Sequence, residues 1–459
     1  VFQLYSQADK NNMTESQQKI STDLLDLICD TTTSGSSLIP MTNSNDFRSS
    51  NFIPANSANG LDEDLVYVYV HLKEDCNVEM IKPFVHEITD TDERNSVVVA
   101  WISFNGLKEL ASLEEVKSIR TVLPPVTNAG SVNTEGDDVH GTASVRTFYG
   151  EDGSGIKIGV ISDGVDHLTV SQASGDLPED VTVLSDIFGG NEGTAILEII
   201  HDMVPEAKLY FHDSGANVIA FNTAIDELVA AGCNIIIDDV AWYEEPFFED
   251  GIVASHIEDV INENNVLYLS SAGNEGDSHY QGTFVNDGDN FHNEFFTIHM
   301  ETGSSVMVIL QWDDPFGSSS NDYDLLLYDE YDILAVSNST GPDPLEWIQF
   351  YNDGPEKDYY IGVYNYQGTA ATRTLELFFY PSLGATVDKI NLVAEDSIYG
   401  HPAAPGVVAV GAVPWNNINT IEYYSSQGPV TIAYPEEHLR PKPDICGVDG
   451  ISTSTEGFT

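Results

Sequence analysis

Between residues 126 and 280, short apolar runs alternate with segments of helical spacing, and this alternation restricts the fold more than any other feature of the chain. Gly155–Ile161 (GIKIGVI), Ala207–Phe211 (AKLYF), Asn234–Ile237 (NIII) and Val266–Ser270 (VLYLS) are short and largely apolar. Runs of that kind read as strands buried on both faces. Between them, segments near Thr194–Met203, Ala220–Ala231 and Ile252–Asn264 repeat apolar residues every three or four positions, as a helix with one buried face does. Strand–helix repetition builds an α/β fold with a doubly wound parallel sheet, whose functional groups collect at the carboxyl ends of the strands.

The rest of the chain reads differently. Residues 1–62 are polar and rich in Ser, Asn and Thr, with helical spacing only over Ile20–Ile28. Residues 63–125 predict a small α+β unit of ferredoxin-like type. Its strands are Leu65–Leu72, Ser96–Phe104 and Val116–Val122, with helical segments at Asn77–Ile88 and Asn105–Leu113. From 281 to 385, short alternating strands such as Ser305–Gln311 and Tyr323–Tyr328 are separated by turn signals (Asp314-Pro315, Gly317-Ser318, Asp353-Gly354). That pattern predicts a β-sandwich inserted into the α/β unit. The α/β pattern resumes over 386–459, so the core is expected in two parts, 126–280 and 386–459.

Charge narrows the partners. The chain has 459 residues, with 17 Lys plus Arg against 74 Asp plus Glu, a net charge of −57. Phosphate backbones need a basic face, so nucleic acid is excluded as a partner. No run of 18 apolar residues occurs, so no membrane insertion is expected. Cys29, Cys76, Cys233 and Cys446 lack CxxC spacing, which argues against a zinc or redox motif and leaves one or two disulfides open. Cys233 precedes an apolar run and reads as a buried thiol. Asn12-Met-Thr14 and Asn338-Ser-Thr340 are glycosylation sequons, which suit an exported protein.

Three segments carry chemistry. Gly155-Ile-Lys-Ile-Gly-Val-Ile-Ser-Asp163-Gly is a strand ending in an acid. Gly190-Asn-Glu192-Gly-Thr-Ala-Ile-Leu-Glu-Ile-Ile opens a helix on an acid and leads to Val204-Pro205 and a strand. Ser270-Ser-Ala-Gly-Asn274-Glu-Gly is a strand followed by an amide-bearing loop. With Pro402-Ala-Ala-Pro-Gly-Val-Val-Ala-Val-Gly-Ala, Tyr424-Ser-Ser-Gln-Gly-Pro and Lys442-Pro-Asp-Ile, they resemble, in order, the motifs of the subtilase serine peptidases and their acid-active sedolisin relatives. The resemblance implies a subtilisin-type sheet, a propeptide-like domain at 63–125, and catalytic roles for Asp163, Glu192 and Asn274. Asp238, Asp239 and Val240 would line the substrate cleft and favour basic or polar side chains.

The sequence departs from that family in three places. Glu192 stands where subtilases have histidine. Sedolisins also use glutamate there, but their aspartate one turn later is Ile196 here, so Asp163 is expected to partner Glu192. Direct alignment on Gly164 puts Ser162 at the acid position; a one-residue gap restores Asp163, with Asp166 as the fallback. The Gly-Thr-Ser nucleophile segment is not found: Ser452 and Ser454 lack its flanking residues and read as loop residues.

Two functions follow from the resemblance. One is an exported cell-surface or envelope protein, a catalytically incomplete scaffold with a structural or assembly role, similar to subtilase-like surface proteins of methanogenic archaea, whose partner is further copies of itself. The other is a serine endopeptidase acting on polypeptides, its serine lying C-terminal to Thr459. Among other acids, Asp313, Asp314, Asp322 and Asp324 cluster before a strand, and oxygen-rich loops of that type suit calcium. His201 has no second spaced ligand and reads as a structural helix residue.

Overall fold

The structure, a computed structural model, describes residues 14–20, 24, 52–53, 64–73, 76, 78–92, 96–121, 133–339, 343–366, 373–455 and 457–458. The chain divides into two compact units, Val1–Thr127 and Asn128–Thr459.

The larger unit is mixed α/β. Seven strands form one parallel sheet: β1 (Lys157–Ser162), β2 (Thr182–Ser185), β3 (Lys208–Asp213), β4 (Ile235–Asp238), β5 (Leu267–Ser271), β6 (Val408–Pro414) and β7 (Ile445–Asp449). Their order across the sheet is β7-β6-β5-β4-β1-β3-β2, and every pairing is parallel. Strand alternation sends successive side chains to opposite faces. Ile158 and Val160 of β1 pack with Leu197 and Ile200 of helix α1 (Glu192–Met203). Ile161 and Ile236 instead meet α2 (Val218–Ala230) and α3 (Ile252–Asn264). Helices therefore cover both faces, and the central strands are buried as their apolar sequences require.

Between β5 and β6 lie two antiparallel sheets. One has four strands, ordered His279–Thr283, Thr374–Pro381, Ser305–Trp312, Leu345–Tyr351; the other has five, ordered Ile333–Ser337, Tyr323–Tyr328, Lys357–Asn365, Phe296–Met300, Ala385–Val387. Val306, Val308, Leu310 and Trp312 point into one apolar cluster with Ile298, Leu325, Leu327, Ile361 and Val363 of the other sheet. The alternate residue Ile309 faces the other way and joins Phe378 in packing on Phe247, Phe248 and Tyr399. Buried Gln311 also clamps the 245–247 segment: its amide donates to the Glu245 carbonyl (2.9 Å), and its carbonyl accepts from Phe247 N–H (3.0 Å). The antiparallel region thus holds the segment that presents Glu245.

The smaller unit is an antiparallel sheet. Leu65–Leu72 pairs with Val97–Ser103 on one side and with Val116–Thr121 and Phe52–Ile53 on the other; Glu87–Asp92 is the outer neighbour of Val97–Ser103. The helix expected over Asn77–Ile88 is absent. Two short 3₁₀ turns, Val78–Met80 and Lys82–Phe84, lead into the strand Glu87–Asp92. Pro83 has no N–H to donate to a continuing helix, and Val85, His86 and Ile88 suit an extended chain. The helix Phe104–Ala111 forms as expected, capped by the Ser103 hydroxyl on Gly106 N–H (3.1 Å) and burying Leu107, Leu110 and Ala111. Of the Ile20–Ile28 segment, Ile20 and Leu24 are buried in this core; residues 21–23 and 25–28 lie outside the described residues. So do Asn12, Met13, Cys29 and Thr340. Cys76, Cys233 and Cys446 are free thiols; burial pushes that of Cys233 up to about 11. Among the described residues no helix is long and apolar enough to cross a membrane.

Candidate active site

The carboxyl ends of β1 and β4 and the N-terminus of α1 bring carboxyl groups together. Asp163 directly follows β1. Its Oδ1 accepts from the N–H groups of Gly164 (2.6 Å), Glu192 (3.0 Å) and Gly193 (3.2 Å). It therefore caps α1, where the first N–H groups lack partners and the helix dipole favours an anion. Gly190 (φ +133°) lies against it: a Cβ there would come within 2.1 Å of Asp163 Oδ2, so only glycine fits. Asp166 Oδ2 accepts from Gly190 N–H (3.1 Å) and fixes the same loop.

Glu192 is the first residue of α1. Two carboxyls act on it: that of Asp239, the residue after β4, and that of Asp163. The expected partner Asp163 accepts from backbone donors while its charge acts on Glu192, and Asp239 reaches Glu192 from the neighbouring strand. Burial, followed by the Glu192 charge, pushes Asp239 well above the carboxylate range, and Ser162 beside it offsets this in part. Burial also raises Glu192; its hydrogen bond with Asp239 acts in the opposite direction, and the charge of Asp163 adds to the rise. Both carboxyls are thus disfavoured as anions, Asp239 more strongly than Glu192.

Asp238 and Asp239 are adjacent, so their side chains leave the strand on opposite sides. Asp238 is 2 % exposed. Its Oδ1 accepts from the Ser270 hydroxyl (2.8 Å) and Val240 N–H (3.2 Å) and meets His401 Nε2 at 3.1 Å. His401 Nδ1 reaches Glu245 Oε1 at 2.7 Å, and the imidazole is fully buried. Burial alone would lower its pKa; the carboxylates of Glu245 and Asp238 override this and raise it to about 10. The imidazole is thus buried between two carboxyl groups. His401 and Glu245 were not picked out by sequence reasoning: they are 156 residues apart, and neither sits in a spaced motif.

Asn274, three residues beyond β5, is exposed on a loop whose neighbours Ala272 and Glu275 are buried. Neighbouring bonds fix that loop: Ser426 N–H donates to the Gly273 carbonyl (3.0 Å), Gly276 N–H to the Tyr424 carbonyl (2.8 Å), and the Ser426 hydroxyl to Glu275 Oε2 (3.0 Å). Val240 lines a cavity with Trp242, Glu245, Gly273, Glu275 and His401. Ser452 and Ser454 are loop residues whose hydroxyls donate to Glu135 (2.8 Å) and Glu198 (2.6 Å).

Of the four acids expected to suit calcium, Asp313 and Asp314 are held by protein donors. Asp314 Oδ1 pairs with Arg373 (2.8 Å), and its Oδ2 accepts from Ser319, Ser320 and Asn321. Asp313 Oδ1 accepts from Thr374 N–H (3.0 Å). Asp322 and Asp324 face Glu346, and burial followed by mutual repulsion raises Asp324 to about 6 and Glu346 to about 7. Among the described residues, no group of three or more Asp, Glu, His or Cys is arranged to hold a metal ion.

The fold and site define a mixed α/β protein with paired carboxyls at the carboxyl edge of a parallel sheet. No family model and no curated protein matches the chain. Among solved structures, it is similar over 70 % of its length to 82 % of the CspB protease of Clostridium perfringens, at 14 % identity and a TM-score of 0.47. It is similar over 27 % of its length to 52 % of the self-cleaved protease domain of PatA, at 23 % identity and a TM-score of 0.22. A third likeness, over 23 % of the chain, is to 89 % of the pre-peptidase C-terminal domain of a Bacillus anthracis collagenase, at 17 % identity and a TM-score of 0.18.

Proposed function

We propose that this protein is an acid-active serine-type peptidase on a subtilisin-like scaffold, split by a β-sandwich insertion and preceded by a propeptide-like domain. The observation that carries this reading is the Glu192–Asp239 pair at the N-terminus of α1. A serine hydroxyl is a poor nucleophile until a base takes its proton and a third group holds that base. Glu192 is the base, and the protonated Asp239 carboxyl orients it. Asn274 donates to the oxyanion, a contribution of ~3 kcal/mol. Glu192 works while it is ionised and Asp239 is still protonated, so activity peaks between the two titrations of the pair. Among the described residues no serine is assigned as the nucleophile, and labelling of the full natural protein is what locates one.

The test uses the full natural protein and a fluorophosphonate probe. Covalent labelling of a serine at acid pH, lost in Glu192→Gln while circular dichroism stays unchanged, is the expected result. Labelling that is indifferent to Glu192→Gln would sink the proposal.

A second reading, an exported surface protein that assembles with copies of itself, is favoured by one observation. The edge strand Ile333–Ser337 exposes Ile333 (60 %) and Val336 (48 %), close to Tyr331 (84 %), and an apolar edge can pair with another chain. Ordered polymers by electron microscopy, together with no labelling, would favour it; a monomer that labels would exclude it.

A further inference from the structure

The cavity beside Val240 has its own chemistry. Its walls include Val240, Trp242, Glu245, Gly273, Glu275 and His401, and its volume is ≈ 20 Å³, room for one group the size of a water molecule. Glu245 is 3 % exposed; its Oε1 meets His401, whereas its Oε2 has no hydrogen-bond donor. One imidazole serves two buried carboxyl groups, Asp238 and Glu245, so the triad holds more acceptor oxygens than donors. A buried carboxylate short of partners costs several kcal/mol. What the cavity offers an occupant is an unpartnered carboxyl oxygen.

Size and chemistry narrow the occupant. An ammonium group has three donors, no acceptor and a compact shape; a guanidinium is a wide planar fork. Room for a group of about water size suits the compact ammonium. Trp242 on the wall offers the aromatic surface that cations favour. Val240 follows Asp239 directly, and Gly273 directly precedes Asn274. The cavity therefore lies between the segment bearing the dyad and the loop bearing the oxyanion donor.

We propose that this cavity recognises a primary ammonium group, the tip of a lysine-type side chain next to the bond presented to Glu192. The placement beside a scissile bond rests on the peptidase reading; the ammonium preference rests on the cavity alone.

Two measurements on the full natural protein test it. In the first, n-butylammonium and its neutral counterpart n-butanol are titrated by calorimetry. Saturable binding of the amine, at least tenfold tighter than the alcohol and lost in Glu245→Gln, is expected. Equal binding of both, or binding of neither, overturns the proposal, and because this comparison uses the unaltered protein it holds even where Glu245→Gln fails to fold. In the second, peptides with lysine, acetyl-lysine or norleucine before the cleaved bond are compared by kcat/KM, and lysine is expected to lead by at least tenfold. Hydrolysis without that preference leaves the peptidase reading standing and removes the ammonium pocket. Amine-selective binding without any hydrolysis supports the pocket and removes the peptidase reading.

Discussion

Raising the pH should remove a measurable part of the stability of the larger unit through His401. Its imidazole is raised from an ordinary 6.5 to about 10 in the folded protein. A folded-state value above the unfolded one stabilises fully at pH below the unfolded value and fades as pH rises through the folded value. At ~1.4 kcal/mol per pH unit, the protonated imidazole contributes about 5 kcal/mol at pH 5 and about 3 kcal/mol at pH 8. At pH 10 less than ~1 kcal/mol remains. The control is a triple variant, Asp238→Asn, Glu245→Gln and His401→Gln, whose triad has nothing to titrate. Urea unfolding followed by tryptophan fluorescence in a Trp101→Phe background reports on residues 128–459, which hold the other four tryptophans. The stability difference between the parent and the triple variant should fall by about 4 kcal/mol from pH 6 to pH 10. A difference that stays flat across that window would refute the buried imidazolium.

Two further changes follow from packing. Gly193→Ala would put a Cβ 2.4 Å from Phe211 Cε2 and 2.6 Å from the Gly164 carbonyl. It should cost ~1–3 kcal/mol through overpacking, read as a lower urea midpoint, and displace Glu192, read as lost probe labelling. Arg373→Ala leaves Asp314 Oδ1, on a fully buried side chain, without its guanidinium partner. Breaking a buried pair typically costs ~3–5 kcal/mol; since Arg373 is a quarter exposed, about 2 kcal/mol is expected, measured by the urea midpoint at pH 7.

The parallel sheet was legible because burial on both faces leaves an unmistakable pattern: Ile235–Ile237 and Ile158–Ile161 have no polar side to mislead a reader. Strand β2 was missed because Thr182–Leu184 is exposed at the sheet edge and carries no such run. The supposed helix over Asn77–Ile88 failed where local spacing competed with Pro83 and with strand pairing to Val97–Ser103. At the site, Glu192 and Asp239 were both readable as acids beside chemistry-bearing segments, yet their pairing was not. It depends on β4 lying next to β1, a non-local fact of sheet order. His401 and Glu245 were invisible for the same reason: a buried charge is intelligible only with its partners, and these come from three separate segments.

Both Asp163 and Asp239 act on Glu192, and two roles for Asp163 are separable by experiment. If Asp163 oriented the base directly, Asp163→Asn would act like the loss of an orienting carboxylate in a catalytic triad, which costs about 10⁴ in kcat. The geometry assigns it another role. The amide oxygen of asparagine can still accept from the N–H groups of Gly164, Glu192 and Gly193, so the cap on α1 survives and the charge alone disappears. That charge is one of the causes holding Glu192 above the usual carboxylate range, after burial. Removing it lets Glu192 ionise more readily. A base is active in its deprotonated form, so the acid limb of the pH–rate profile should move to lower pH while the plateau rate is kept. Asp239→Asn is the contrasting variant: it removes the proton-sharing partner, so the two titrations of the pair should collapse into one. A pH–rate profile of Asp163→Asn with an unmoved acid limb and a plateau lowered by orders of magnitude would return Asp163 to the role of direct partner and dismiss the Glu192–Asp239 dyad.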